Sequence, residues 1–247
     1  EQHLSVSPID LSLPGFTPPR GRLHPLTQTL QEMTKALSLM GFSWSDWPLV
    51  EDDQHNFTAL NIPEHHSARD MHDTFYLQDV PLLMRTNTSP VQIRSMLAGK
   101  PPLRIMSPGR VFRHEAVDAT HSAVFHQVEG LAVDRRVTFA DLKGTLKQFL
   151  EKLLGAKTAM RFRPSYFPFT EPSAQFEIRV RLRPDLPPRW IELGGCGMVD
   201  PSVFEACGID PEVWTGYAFG FGIERLAMGK YGIPDIRLLF ENDVRFL

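Results

Sequence analysis

The chain has 247 residues, 42% hydrophobic and 22% charged, which supplies material for a sizeable core and excludes disorder by composition. A formal net charge of −3 excludes a broad basic surface, so a nucleic-acid partner must be held by local patches or by another chain. Cys196 and Cys207 form neither a disulfide framework nor a metal-ligand spacing, and no apolar run approaches the ~18 residues of a membrane span, so the expectation is a cytoplasmic protein without a membrane partner.

Residues 1–23 are rich in Pro and Gly and are expected to form an extended arm before one folded domain, 24–247. His24 to Met40 is predicted to be a helix: Pro25 suits its first turn, Leu26, Leu30, Met33, Leu37 and Met40 make one apolar stripe, and Gly41 ends it. Phe42, Trp44 and Pro48 follow in an extended segment. Residues 51–73 are polar and irregular, with room for a short helix near Phe57–Leu60. His55, His65, His66 and His72 lie in this stretch, but their spacing matches no metal motif. Thr74–Leu77 and Leu82–Thr86 are expected strands. Ser89-Pro90 is an expected N-cap and first helical residue, with the helix running to Ala98.

Leu103–Met106 leads into a strand, a polar loop and a second strand over 109–131. Val111, Arg113 and Glu115 alternate with Phe112 and His114, and Phe125 to Val133 alternates again. Thr138 to Leu154 is an amphipathic helix closed by Gly155. Strands are expected at Ala159–Arg163, Ala174–Leu182 and Trp190–Leu193, the last two joined by a turn at Pro184–Pro188. Short helices are expected at Pro201–Cys207 and Pro211–Trp214, then a strand at Tyr217–Gly220 and a helix at Ile223–Tyr231. Helices around hairpin-connected strands indicate an α+β fold with an antiparallel β-sheet.

Four stretches carry chemistry. Arg113 can bind a carboxylate and a phosphate at once through its forked donors, and Glu115 on the same face can accept from an amino group. Gly220 and Gly222 allow flat packing at a strand end, and Arg225 opposes the dipole of the next helix unless an anion or a π-face compensates. Tyr166, Phe167 and Phe169 sit among Pro164, Pro168 and Pro172 in a stiff loop suited to lining a flat apolar pocket. Glu192 precedes a glycine run, and Glu192 and Glu171 are hard oxygen ligands suited to Mg²⁺ on a polyphosphate.

Taken together, these stretches resemble the class II aminoacyl-tRNA synthetases. Phe112-Arg113-x-Glu115 is similar to their motif 2, Gly220-x-Gly222-x-Glu224-Arg225 to motif 3, and residues 25–50 to motif 1, the interface motif. FHQVEG (125–130), YFPFTEPS (166–173), ELGGCGM (192–198) and TGYAFGFGIERLAM (215–228) resemble the bacterial phenylalanyl-tRNA synthetase α subunits, from about Gly21 onward. The family's tRNA-contacting N-terminal helical arm lies outside this stretch.

The resemblance implies a six- to seven-stranded antiparallel sheet flanked by helices. It also implies two α and two β chains, ATP and Mg²⁺, L-phenylalanine and tRNA(Phe). By motif, Arg113 bridges the substrate carboxylate and the α-phosphate, Glu115 binds the adenine amino group, and Phe125 and Arg225 sandwich the adenine. His121 holds pyrophosphate. Ser89, Gln127 and Glu129 grip the ammonium with Gln92 nearby, and Phe167, Phe169 and Ala218 surround the phenyl ring.

Asn87 and His72 stand where some family members carry His and Trp. An apolar pocket rejects one extra hydroxyl by only ~10²-fold, so tyrosine activation is expected, with editing in the β chain. A nucleotide- or amino-acid-binding paralogue should have lost Arg113, Arg225 or the Glu pair. A biotin or lipoate ligase would not need the 166–172 aromatics or the Gln127/Glu129 pair.

Overall fold

The computed structural model describes residues 12, 15, 21–69, 74–155, 158–180 and 187–246. The arm expected over 1–23 and the turn expected at 184–188 fall largely outside them, as does His72.

The first helix, α1 (Pro25–Ser38), has Pro at its start, and His24 caps it by accepting from the Leu26 N–H. Its stripe buries Met33 and Leu37 completely. β1 (Ser43–Trp44) follows, then β2 (Val50–Asp52), the one-turn helix α2 (Asp53–Asn56) and a 3-10 turn at Thr58–Leu60. β3 (Leu82–Met84) pairs with β2, whereas the strand expected over 74–77 reduces to one bridge, Tyr76 to Leu83. α3 (Pro90–Ala98) leads to the long hairpin of β4 (Leu103–Phe112) and β5 (Val124–Asp134).

α4 (Phe139–Leu154) begins with a capping box. Thr138 accepts from the Asp141 N–H, and the Asp141 carboxylate accepts from the Thr138 N–H. Then come β6 (Met160–Phe167), β7 (Thr170–Val180), β8 (Arg189–Val199), α5 (Pro201–Ala206), β9 (Thr215–Gly222) and α6 (Ile223–Tyr231). A turn replaces the helix expected at 211–214.

The strands form a seven-stranded sheet in the order β1-β4-β5-β9-β8-β7-β6, antiparallel except where β1 joins β4. β5 shows how the sheet divides its faces. Val128 and Ala132 point to the core under α1 and α4, where Leu142, Leu146 and Phe149 meet Phe176, Phe219 and Phe221. Burying each such Leu or Phe contributes about 1.5–3 kcal/mol. Leu131 and Val133 point the other way and pack with Ile93, Val203 and Phe204 of α3 and α5. Gln127 and Glu129 share that second face beyond the apolar packing of these helices, with Gln92 of α3 reaching Glu129. The uncovered part of the face is the floor of a cleft.

Candidate active site

The cleft has a volume of about 560 Å³, within the ~300–1,000 Å³ usual for small-molecule sites. It is lined by Ser89, Gln92, Arg113, Glu115, His121, Phe125, Gln127, Glu129, Phe167, Phe169, Glu192, Ala218, Gly220, Gly222 and Arg225. The structure therefore brings together every expected site residue except Glu171.

One end is polar and buried. Glu129 is 6% exposed, and its Oε2 accepts from the Ser89 hydroxyl at 2.8 Å and the Gln92 amide at 2.6 Å. Burial pushes the Glu129 carboxyl above the usual range, against the pull of these hydrogen bonds. Gly220 pairs with Glu129 across β9 and β5, and a Cβ there would lie 2.7 Å from Glu129 Cγ, so glycine lets this side chain cross the neighbouring strand. The Gln127 amide oxygen accepts from the Thr88 N–H at 3.3 Å.

Ser89 was expected to cap α3. Its backbone is helical and its side chain makes no capping bond, because the hydroxyl is held by Glu129. Asn87 takes over locally, accepting from the Ser89 N–H at 3.0 Å.

Beside the carboxylate, Phe167 and Phe169 stack with ring centroids 5.8 Å apart. The expected stiff loop is instead the tip of the β6–β7 hairpin. Pro164 is accommodated because β6 is an edge strand, and Pro172 because the β7–β8 register shifts between Thr170 and Ser173. Gly195 leaves room for the ring of Phe167 against β8, since a Cβ would come within 2.8 Å of it.

The other end is cationic. β4 stops at Phe112, so Arg113 and Glu115 lie just past the strand rather than in it. Arg113 Nε donates to the Thr86 carbonyl at 3.1 Å, its guanidinium lies 5.1 Å from the Phe125 centroid, and its Nη1 is 3.8 Å from Glu115. Arg225 donates to the Glu192 carbonyl at 3.3 Å, and the cation on Phe125 is Arg113. In the connecting loop, Asp118 accepts from the His121 Nδ1 and from the Thr120 and His121 N–H groups. These bonds hold the Asp118 carboxyl well below its ordinary range. The C-terminal 3-10 turn braces the loop through Ile236 N–H to the Ala119 carbonyl at 2.9 Å. Cys196 also lines the cleft, but burial pushes its thiol up to about 12, so it is no nucleophile.

Residues 8–247 match the family described as tRNA synthetases class II core domain (F). A phenylalanine–tRNA ligase alpha subunit of Cellvibrio japonicus (strain Ueda107) is 55% identical over 250 residues, covering 99% of this chain and 74% of the relative. One from Clostridium perfringens (strain SM101) is 52% identical over 253 residues, covering 100% of this chain and 74% of the relative. The chain belongs to the phenylalanine–tRNA ligase alpha-subunit family. The fold agrees with a solved pyrrolysyl-tRNA synthetase from Desulfitobacterium hafniense, with a TM-score of 0.66 at 19% identity over 89% of this chain and 74% of that one.

Within this alpha-subunit frame one expectation needs correcting. Glu171 and Glu192, the two carboxylates expected as Mg²⁺ candidates, lie far apart. Glu192 pairs with Glu177 in the β7–β8 register, and Glu171 lies six residues further along β7, which is roughly 20 Å at the strand rise. Glu171 does not line the cleft, whereas Glu192 does. The cluster with metal-ligand proximity among the described residues is Glu51, Asp52 and His55, away from the cleft lining, where Glu51 is already bound by Arg94 Nε at 2.8 Å.

The motifs also left the partners of Glu224 unassigned. It is buried, and its carboxylate accepts from both the backbone N–H and the Nδ1 of His126. No local sequence pattern marks a contact spanning 98 positions.

Proposed function

We propose that this chain is the catalytic alpha subunit of a phenylalanine–tRNA ligase. It activates L-phenylalanine with ATP and then transfers it to tRNA(Phe), working in the cytoplasm as part of an (αβ)2 assembly with the β subunit. Residues 24–247 are its catalytic domain. One observation carries the reading: the buried Glu129, with Ser89, Gln92 and Gln127, adjoins the stacked Phe167 and Phe169 in a single cleft. A carboxylate with neutral donors suits an α-ammonium, and two flat rings beside Ala218 suit a phenyl group.

In this reading the substrate carboxylate attacks the α-phosphorus of ATP. A new P–O bond forms, the bond to the β-phosphate oxygen breaks, and pyrophosphate leaves. Arg113 holds the carboxylate and the α-phosphate and stabilises the charge that builds on the phosphate. Glu115 takes the adenine amino group, Phe125 and Arg225 hold the ring, and Gly220 and Gly222 keep the floor flat. His121, oriented by Asp118, presents its other ring nitrogen to the leaving pyrophosphate. Mg²⁺ on the ATP phosphates would supply charge neutralisation, and Glu192 is the carboxylate placed to meet it. In the second step a ribose hydroxyl of the tRNA terminus attacks the carbonyl and AMP leaves. No protein nucleophile takes part.

Charging of tRNA(Phe) with labelled phenylalanine by the assembled α and β chains tests this reading. Charging that requires phenylalanine and ATP is expected. Its absence from a folded, assembled enzyme would overturn the proposal.

A further inference from the structure

Two residues outside the expected ligand set connect the two halves of the nucleotide end of the cleft. β9 pairs with β5 as far as Gly222 opposite Gln127, and the chain then turns into α6. The next outward N–H on β5, that of His126, therefore has no strand partner. The Glu224 carboxylate takes its place, accepting from this N–H at 2.9 and 3.0 Å and from His126 Nδ1 at 2.7 Å. The carboxylate acts as one more rung of the sheet.

Glu224 is in the first turn of α6, where the helix dipole supports a negative charge. Its side chain is 3% exposed, so the bond to His126 is shielded from solvent. The carboxylate also fixes the imidazole with its hydrogen on Nδ1.

The neighbours of these residues give the contact its consequence. Phe125 precedes His126, and Arg225 follows Glu224. Both line the cleft; Phe125 is paired with Val111 on the β4 side, but both lie beyond the β5–β9 ladder, which ends at Gln127 and Gly222. Among the described residues, Arg225 is bonded to the Glu192 carbonyl alone. We propose that His126 and Glu224 are positioning residues whose buried contact sets the separation of Phe125 from Arg225, and so the width of the slot that takes the adenine ring. This inference rests on the reading that the cleft binds ATP.

The test uses the assembled α and β enzyme in amino-acid-dependent ATP–pyrophosphate exchange. His126→Ala keeps the backbone bonds and removes the imidazole, and His126→Asn keeps an N–H donor near the Nδ1 position. We expect His126→Ala to raise KM for ATP by about tenfold while leaving KM for phenylalanine within about twofold, and His126→Asn to recover most of the loss. A merely structural contact would move both KM values together or lower kcat without a split, and either result would overturn the inference, as would an unchanged KM for ATP. If His126→Ala does not assemble, His126→Phe, which keeps a ring and removes its nitrogens, is read in the same way: a rise in KM for ATP alone supports the inference, and an unchanged KM for ATP or a joint rise in both KM values contradicts it. Absence of exchange in the wild-type enzyme would instead count against the function itself.

Discussion

The Ser89 hydroxyl donates to Glu129 Oε2 at 2.8 Å, joining two residues 40 positions apart, and it does so in place of capping α3. Ser89→Ala should therefore act on substrate and leave the helix nearly intact. A hydrogen bond to a charged group contributes about 1.5–3 kcal/mol, so KM for phenylalanine should rise by about tenfold or more. A capping role predicts the reverse pattern: a loss of about 1 kcal/mol in stability with KM unchanged. Exchange kinetics and a thermal melt separate the two.

The raised pKa of Glu129 gives a pH dependence with a definite sign. The folded chain holds a proton on Glu129 at pH values where the unfolded chain has lost it. That contribution to stability is complete below the ordinary carboxylate range near ~4.3 and is lost as pH rises towards the raised value. Bound ammonium favours the carboxylate, so phenylalanine binding should release a proton in this window and tighten as pH rises through it. Calorimetry in two buffers of different ionisation enthalpy measures the release. Glu129→Gln should abolish it, weaken phenylalanine binding by about 10²-fold, and leave the free enzyme at least as stable at neutral pH.

Gly195→Ala should narrow the phenyl pocket. The added Cβ would meet the Phe167 ring at 2.8 Å, and Phe167 can yield only by disturbing its stack with Phe169. Overpacking of this kind costs about 1–3 kcal/mol. KM for phenylalanine should rise by about tenfold, with KM for ATP within about twofold, as read by exchange kinetics.

The β7–β8 register separates the two carboxylates considered for Mg²⁺. Glu192→Gln should raise the Mg²⁺ concentration needed for half-maximal exchange by severalfold, and Glu171→Gln should leave it unchanged. A Mg²⁺ titration of each variant checks this.

Local pattern made much of the fold legible. The apolar stripes of α1 and α4, the Gly155 stop and the alternation along β5 each depend on residues a few positions apart. Three features were not legible, for one physical reason. Ser89 resembles a cap locally, but its partner lies in a distant strand. Pro164 and Pro172 look like loop markers, but an edge strand and a register shift remove the need for their missing N–H groups. His126 and Glu224 meet only because β9 ends where α6 begins. In each case tertiary pairing decides the role.

The most direct measurement is phenylalanine-dependent ATP–pyrophosphate exchange by the assembled enzyme, with Arg113→Ala beside the wild type. Arg113 is anchored through Nε to the Thr86 carbonyl, which leaves its terminal nitrogens towards the cleft. Removing one such preorganised donor typically lowers the rate by ~10²–10³-fold. The account predicts wild-type exchange that requires phenylalanine and falls by that factor in Arg113→Ala. Exchange independent of phenylalanine, or an Arg113→Ala enzyme as fast as the wild type, would contradict it.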